Sequence, residues 1–146
     1  RKLGWKPDVI HCQGWFTSLV PMYIKKLYAG DPLFEDVKVI YSIFDNSFEG
    51  VLSNTLPEKL LFENLVEEDV AMLKEPNINN LHKHAIDYAD AVVQASADIE
   101  KDVLDYIKTS EKPFMEYPGA EDYIDAYQDF YEQFIEEEEE VALTEK

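Results

Sequence analysis

The chain has 146 residues, 46% of them hydrophobic and 13% aromatic, which is enough apolar material for one domain with a real core and too much for a wholly disordered chain. It carries 13 Lys+Arg against 31 Asp+Glu, a net charge of −18, which argues against nucleic-acid binding and against a polybasic membrane surface. Its apolar runs fall short of the roughly 20 residues of a membrane span, and the lone Cys12 permits no internal disulfide, so a reduced, cytoplasmic setting is expected.

Arg1 is not an initiator Met, and Arg1–Lys6 holds no apolar signal core. The stretch reads as a helix tail before a strand entry, so the chain is expected to start inside a domain, as a fragment. Asp8–Cys12, after Pro7, is a short β-branched run suited to a buried strand. Gly14 breaks it. Trp15, Phe16, Leu19, Val20, Tyr23, Ile24 and Leu27 then follow helical spacing. Pro21 requires that helix to kink or to start late, and Gly30-Asp31-Pro32 ends it. Val37–Phe44 is the clearest strand, and the Asn-, Ser- and Gly-rich loop 45–57 follows its carboxyl end, where α/β folds place ligand contacts. Residues 58–73 and 78–89 read as helices. Ala91–Ala95 reads as a third buried strand, with Ser96 and Asp98 able to cap a helix that buries Ile99, Val103 and Ile107. Lys112–Gly119, with two prolines and a glycine, reads as a linker or turn. A last helix runs from about Ala120 into the run Glu136–Glu140, with Tyr123, Tyr127, Phe130 and Phe134 as a packing stripe.

Three alternations of strand and helix predict an α/β fold with a parallel sheet and flanking helices. Residues 1–112 are expected to form one Rossmann-like unit, and 113–146 a linker and acidic helix packing on it. That tail holds 12 of the acids and one base, and its five consecutive glutamates read as a solvated helix end rather than a calcium site.

Few residues offer chemistry by pattern alone. The five glycines form no phosphate loop. His11 and Cys12 are strand neighbours, so their side chains diverge. His82 and His84 are two apart on a helix, the wrong spacing for a shared metal, and no cofactor or metal is expected. Gln13 ends the first strand, and Asp45 and Asn46 follow the second, where they serve equally as turn formers or ligand contacts.

Three segments in order carry a resemblance: Pro7-Asp8-Val9-Ile10-His11 with Trp15, Leu19 and Pro21; Tyr41, Ile43, Phe48 and Gly50; and Tyr88-Ala89-Asp90 with Ser96. Together they resemble the N-terminal domain of bacterial glycogen and starch synthases, glycosyltransferase family 5. The resemblance implies a Rossmann-like half of a two-domain GT-B glycosyltransferase that transfers glucose from ADP-glucose to an α-1,4-glucan. It also implies a cleft around Gln13, Gly14, Trp15, Phe16, Phe44, Asp45 and Asn46. Positions 14 and 44 are, in that family, an Asp and a His lining the donor-glucose pocket; here they are Gly14 and Phe44. Neither a Lys-x-Gly-Gly-Leu motif nor a nucleotide-binding second domain occurs in the chain. The chain alone is therefore expected to be inactive, with a non-catalytic glucan- or partner-binding relative as the alternative. An unrelated flavodoxin-like domain is a further reading, for which Gln13-Gly14-Trp15 offers little.

Overall fold

The computed structural model describes residues 5–46 and 48–144, and side chains as far as residue 135. The helix-tail reading of Arg1–Gly4 and the solvation of the Glu136–Glu140 side chains lie outside that range.

Strands β1 (Val9–Gln13), β2 (Lys38–Ile43), β3 (Ala91–Gln94) and β4 (Phe114–Met115) form one sheet in the order β1-β2-β3-β4, parallel throughout. The fold is α/β and Rossmann-like, as the alternating pattern predicts. Gln13 sits beside Ser42, and Ile43 beside Gln94. The carboxyl ends of the first three strands therefore finish level.

Between strands the chain forms α1 (Val20–Met22, continued by a π-helical turn Tyr23–Leu27), α2 (Leu56–Leu60), α3 (Ile78–Tyr88) and α4 (Lys101–Thr109); α5 (Tyr123–Thr144) follows β4. Strand side chains alternate between faces, and the core divides accordingly. On one face Cys12, Val39, Tyr41, Ile43 and Val92 pack with Ile24 of α1, Ala85 and Ile86 of α3, and Val103 and Ile107 of α4. On the other, Ile40, Ala91 and Val93 meet Phe130 and Phe134 of α5. β2 is covered on both faces, which is why it reads as a continuous apolar run.

Four elements differ from the sequence reading. α4 begins at Lys101 with Glu100 at its N-cap and no side-chain cap, so Ser96 and Asp98 do not cap it; Ser96 bonds Asp45 instead. The helix expected from Trp15 begins at Val20, after a 3-10 turn at Trp15–Thr17. Pro21 thus occupies the first helical turn, where its missing N–H costs nothing. The helix expected over 58–73 is only α2, a set of turns and a 3-10 turn at Ala71–Lys74. Leu60, Leu65, Val70 and Leu73 are all buried, against Met22 and Leu81, but their spacing of five, five and three does not keep to one helical face. Glu63 at φ 53° breaks the run. The stretch read as a linker contains β4, whose Phe114 and Met115 pair with Val92 and Val93; two residues are too few for a period to show. Just before it, Lys112 Nζ donates to the carbonyls of Ile86, Asp87 and Ala89 at 2.6–2.7 Å, closing the C-terminus of α3.

Candidate functional site

β1 ends where Gly14 turns the chain away at φ 73°, with its N–H still donating to Ser42 O. A side chain at position 14 would point at Asn46 and Phe44: a Cβ there lies 3.5 Å from Asn46 Nδ2 and 3.9 Å from Phe44 Cδ2. Positions 14, 44 and 46 therefore share one spot at the carboxyl ends of β1 and β2. Asp45 turns toward β3, its N–H donating to Ser96 Oγ (3.1 Å), whose hydroxyl donates to Asp45 Oδ1 (3.3 Å). That clamp joins the loops after β2 and β3.

Two clefts open beside Phe44. The first, about 680 Å³, lies between the strand ends and the start of α5; Gln13 and Phe44 form its floor and tyrosines its wall. The second, about 580 Å³, lies on the opposite side of Phe44, with Asp45, His82, Asp98, Glu100 and Lys101 at its edge. Of the residues singled out by sequence, Gln13 and Phe44 reach the first cleft, Phe44 and Asp45 the second, and Gly14 and Asn46 adjoin Phe44. Trp15 and Phe16 line neither. Trp15 packs edge-on against Phe48 at 4.9 Å, and Phe16 is 85% exposed.

The sequence reading left out the second wall of the first cleft. Tyr123, Tyr127 and Tyr131 follow one another at i, i+4 and i+8 on α5 and line the cleft, while Phe130 and Phe134 face the sheet. The aromatic stripe is two rows, and the signal separating them was chemical: hydroxyls on one, bare rings on the other.

Behind that wall sits His11. Its Nδ1 hydrogen-bonds Tyr131 Oη at 2.5 Å, its Nε2 hydrogen-bonds Ser42 Oγ, and its ring stacks on Tyr127 at 5.7 Å. Burial holds its pKa down at about 4, so the imidazole is neutral near pH 7 and serves as a linkage between β1, β2 and α5. Cys12 points the other way into the helix-covered face, and burial raises its thiol to about 11. His82 hydrogen-bonds Tyr41 Oη at 2.8 Å, whereas the His84 ring lies tilted at 58° against Tyr88 and its Nε2 has no partner among the described residues. Burial lowers both to about 4. Among the described residues no cluster of His, Cys, Asp or Glu has the makings of a metal site, and no helix is long and apolar enough to cross a membrane.

The Tyr88-Ala89-Asp90 segment is scaffold. Tyr88 Oη donates to Asp69 Oδ1, Ala89 is buried, and Asp90 Oδ2 accepts from Val39 N–H while pairing with Lys25. These contacts fix α3 to the start of β2.

Residues 1–112 match a family model described as "Starch synthase catalytic domain". Among curated proteins, the chain is similar to the glycogen synthase of Chlorobium limicola, 35% identical over 97 residues, covering 66% of this chain and 19% of that protein. The glycogen synthase of Chlorobium phaeobacteroides is 40% identical over 63 residues (43% and 13%), and that of Desulfitobacterium hafniense 29% over 99 residues (68% and 21%). The chain spans about a fifth or less of the length of these relatives. No solved structure gives a significant match.

Proposed function

Because the chain belongs to the starch synthase catalytic-domain family, we propose that it is part of the N-terminal half of a glycogen synthase whose carboxyl-end cleft does not by itself turn over ADP-glucose. One observation carries this reading. Gly14 and Phe44 lie together at the strand ends, where a Cβ at position 14 would come 3.9 Å from Phe44 Cδ2, at the two positions where the resembled family has an Asp and a His facing the donor glucose. Retaining transfer builds positive charge at the anomeric carbon, and removing a single group placed to stabilise developing charge commonly costs about 10²–10³ in rate. A glycine offers only backbone there, and a phenyl ring offers no hydrogen bond.

The wall of the first cleft adds a second reason. Among the described residues no Lys or Arg lines it, so none of them neutralises a nucleotide diphosphate there. In the proposed assembly the diphosphate is held by a second, nucleotide-binding domain, supplied by a further part of the protein or by a separate chain, and the acceptor is an α-1,4-glucan. The single buried thiol is in keeping with a cytoplasmic setting.

The decisive experiment supplies the chain with radiolabelled ADP-glucose and glycogen. Incorporation no greater than the protein-free blank is the expected result. Label entering glycogen in proportion to the amount of this chain would overturn the proposal and restore a donor site to positions 14 and 44.

A further inference from the structure

We propose that the cleft between α5 and the carboxyl ends of β1–β3 docks a proline-rich segment of a partner protein, with basic residues flanking the prolines. This does not rest on the family reading, because the wall of the cleft comes from residues 117–131, beyond the 1–112 that match the family.

The lining sets the chemistry. Tyr117, Tyr123, Tyr127 and Tyr131 line the cleft together with Gln13 and Gln128, and no charged side chain is among its described lining residues. The rings offer apolar faces, and the hydroxyls and amides offer O–H and N–H donors. Tyr131 Oη is bonded to His11. The hydroxyls of Tyr117, Tyr123 and Tyr127 have no hydrogen-bond partner among the described residues. An extended proline-rich segment matches that set. It makes no internal hydrogen bonds, so its carbonyls are open to donors, and its prolines have no N–H to satisfy. A helical peptide has most of its carbonyls bonded within itself and would leave the tyrosine donors unused.

The spacing of the rings fits as well. Tyr123, Tyr127 and Tyr131 stand at successive turns of α5, with ring centres 6.4 and 6.0 Å apart and planes turned by 84° and 67°. The rings do not stack on one another, so the wall is ridged. A polyproline segment rises about 3.1 Å per residue, so every second residue meets the next tyrosine. Both sides are ordered before they meet. His11 holds Tyr127 by ring stacking and Tyr131 by a hydrogen bond, and proline fixes the backbone of the ligand. Docking therefore costs little conformational entropy.

Charge chooses the flanks. Tyr123 and Ile124, at the mouth, are 50% and 63% exposed. Around them Glu116, Glu121, Asp122 and Asp125 are exposed, and residues 113–135 contain no Lys or Arg. Basic residues on either side of the prolines meet that acidic rim, while the neutral prolines fill the uncharged interior. An acidic or phosphorylated segment is repelled.

The test is fluorescence anisotropy of a labelled polyproline peptide with arginines at both ends, titrated with the full chain. One control peptide carries the same prolines between glutamates. The other carries glycine–serine repeats between the same arginines. The arginine-flanked polyproline is expected to bind about tenfold more tightly than either control. Tyr117→Ala and Tyr123→Ala should each weaken it about tenfold, and Tyr123→Phe, which keeps the ring and loses the donor, should weaken it less. Asp122→Lys combined with Asp125→Lys is expected to invert the preference between arginine and glutamate flanks, a change that loss of folding does not produce. Circular dichroism establishes that the variants fold. Four results would overturn the proposal: no binding of the polyproline peptide, equal binding of the glycine–serine control, undiminished binding in both alanine variants, or a flank preference that survives the charge reversal.

Discussion

Gly14 occupies φ 73°, ψ 169°, a corner of backbone space that is essentially confined to glycine. The space around it is open enough for a Cβ, with the nearest side-chain atom at 3.5 Å. The obstacle to substitution is therefore the backbone and not a clash. Gly14→Ala is expected to cost about 1–3 kcal/mol of stability, read from urea unfolding, and an unchanged midpoint would show that the turn adopts another conformation. The consequence for function is specific. Restoring the family's carboxylate by Gly14→Asp meets the same backbone cost, so Phe44→His alone is the cleaner repair and is expected to leave stability nearly unchanged at its half-buried position. At this scale the sequence was legible where a residue type has one conformational use. Gly14 read as a strand breaker, and it is one. It was not legible where the role depends on a distant partner: His11 finds Tyr131 from 120 positions away, a pairing no local pattern contains.

The elements show what the family-like segments hold in place. Tyr88, Ala89 and Asp90 tie α3 to Asp69 and to the Val39 amide, and Lys112 closes the same helix through three carbonyl contacts. Burial pulls the Lys112 pKa down while Asp87 and Asp90 hold it up, so its ammonium is half-desolvated in a nest of oxygens. Lys112→Met keeps the aliphatic stem and removes the donors; it is expected to destabilise by about 1–3 kcal/mol and to speed hydrogen exchange at the C-terminal turn of α3 before elsewhere. Uniform loss of protection would mean that the lysine acts through global stability and not as a cap. On the opposite face, Phe130 and Phe134 are 6% and 7% exposed against Ile40, Ala91 and Val93. Phe130→Ala is expected to cost about 3–5 kcal/mol and to raise binding of a hydrophobic dye, since it opens the cover that Phe130 and Phe134 form over that face of the sheet. Wild-type dye binding would show that α5 repacks over the gap. Strands and long amphipathic helices were legible because their periods repeat several times. The segment 58–73 was not, because its four buried apolar residues come from turns, whose spacing obeys no period. β4 was not, because its strand character comes from pairing with β3.

The whole molecule balances two effects of opposite sign as pH falls from 7. Its net charge of −18 sets up self-repulsion that opposes the compact state and is screened over about 10 Å at 0.1 M salt. Acidification relieves it, but only once carboxylates near their ordinary pKa of about 4 take up protons. Three histidines act earlier. His11, His82 and His84 are held at about 4 in the fold, chiefly by burial, against about 6.5 when exposed. Below pH 6.5 the unfolded chain thus binds protons that the folded chain refuses, and stability drops as pH falls toward 4. The slope is up to about 1.4 kcal/mol per pH unit for each histidine that stays neutral. Between pH 7 and 5 the histidine effect dominates, because the carboxylates have scarcely begun to titrate. The unfolding midpoint in urea is therefore expected to fall across that window. Raising salt to 0.5 M should lift the midpoint at both pH values without removing the fall, since screening acts on exposed charge and not on the desolvation of a buried ring. His84→Gln, at the ring whose Nε2 has no partner among the described residues, should make the fall shallower. A midpoint flat from pH 7 to 5 would show that the imidazoles reach water in the folded state, and with His11 among them, that α5 lifts from the sheet and carries the tyrosine wall of the cleft with it.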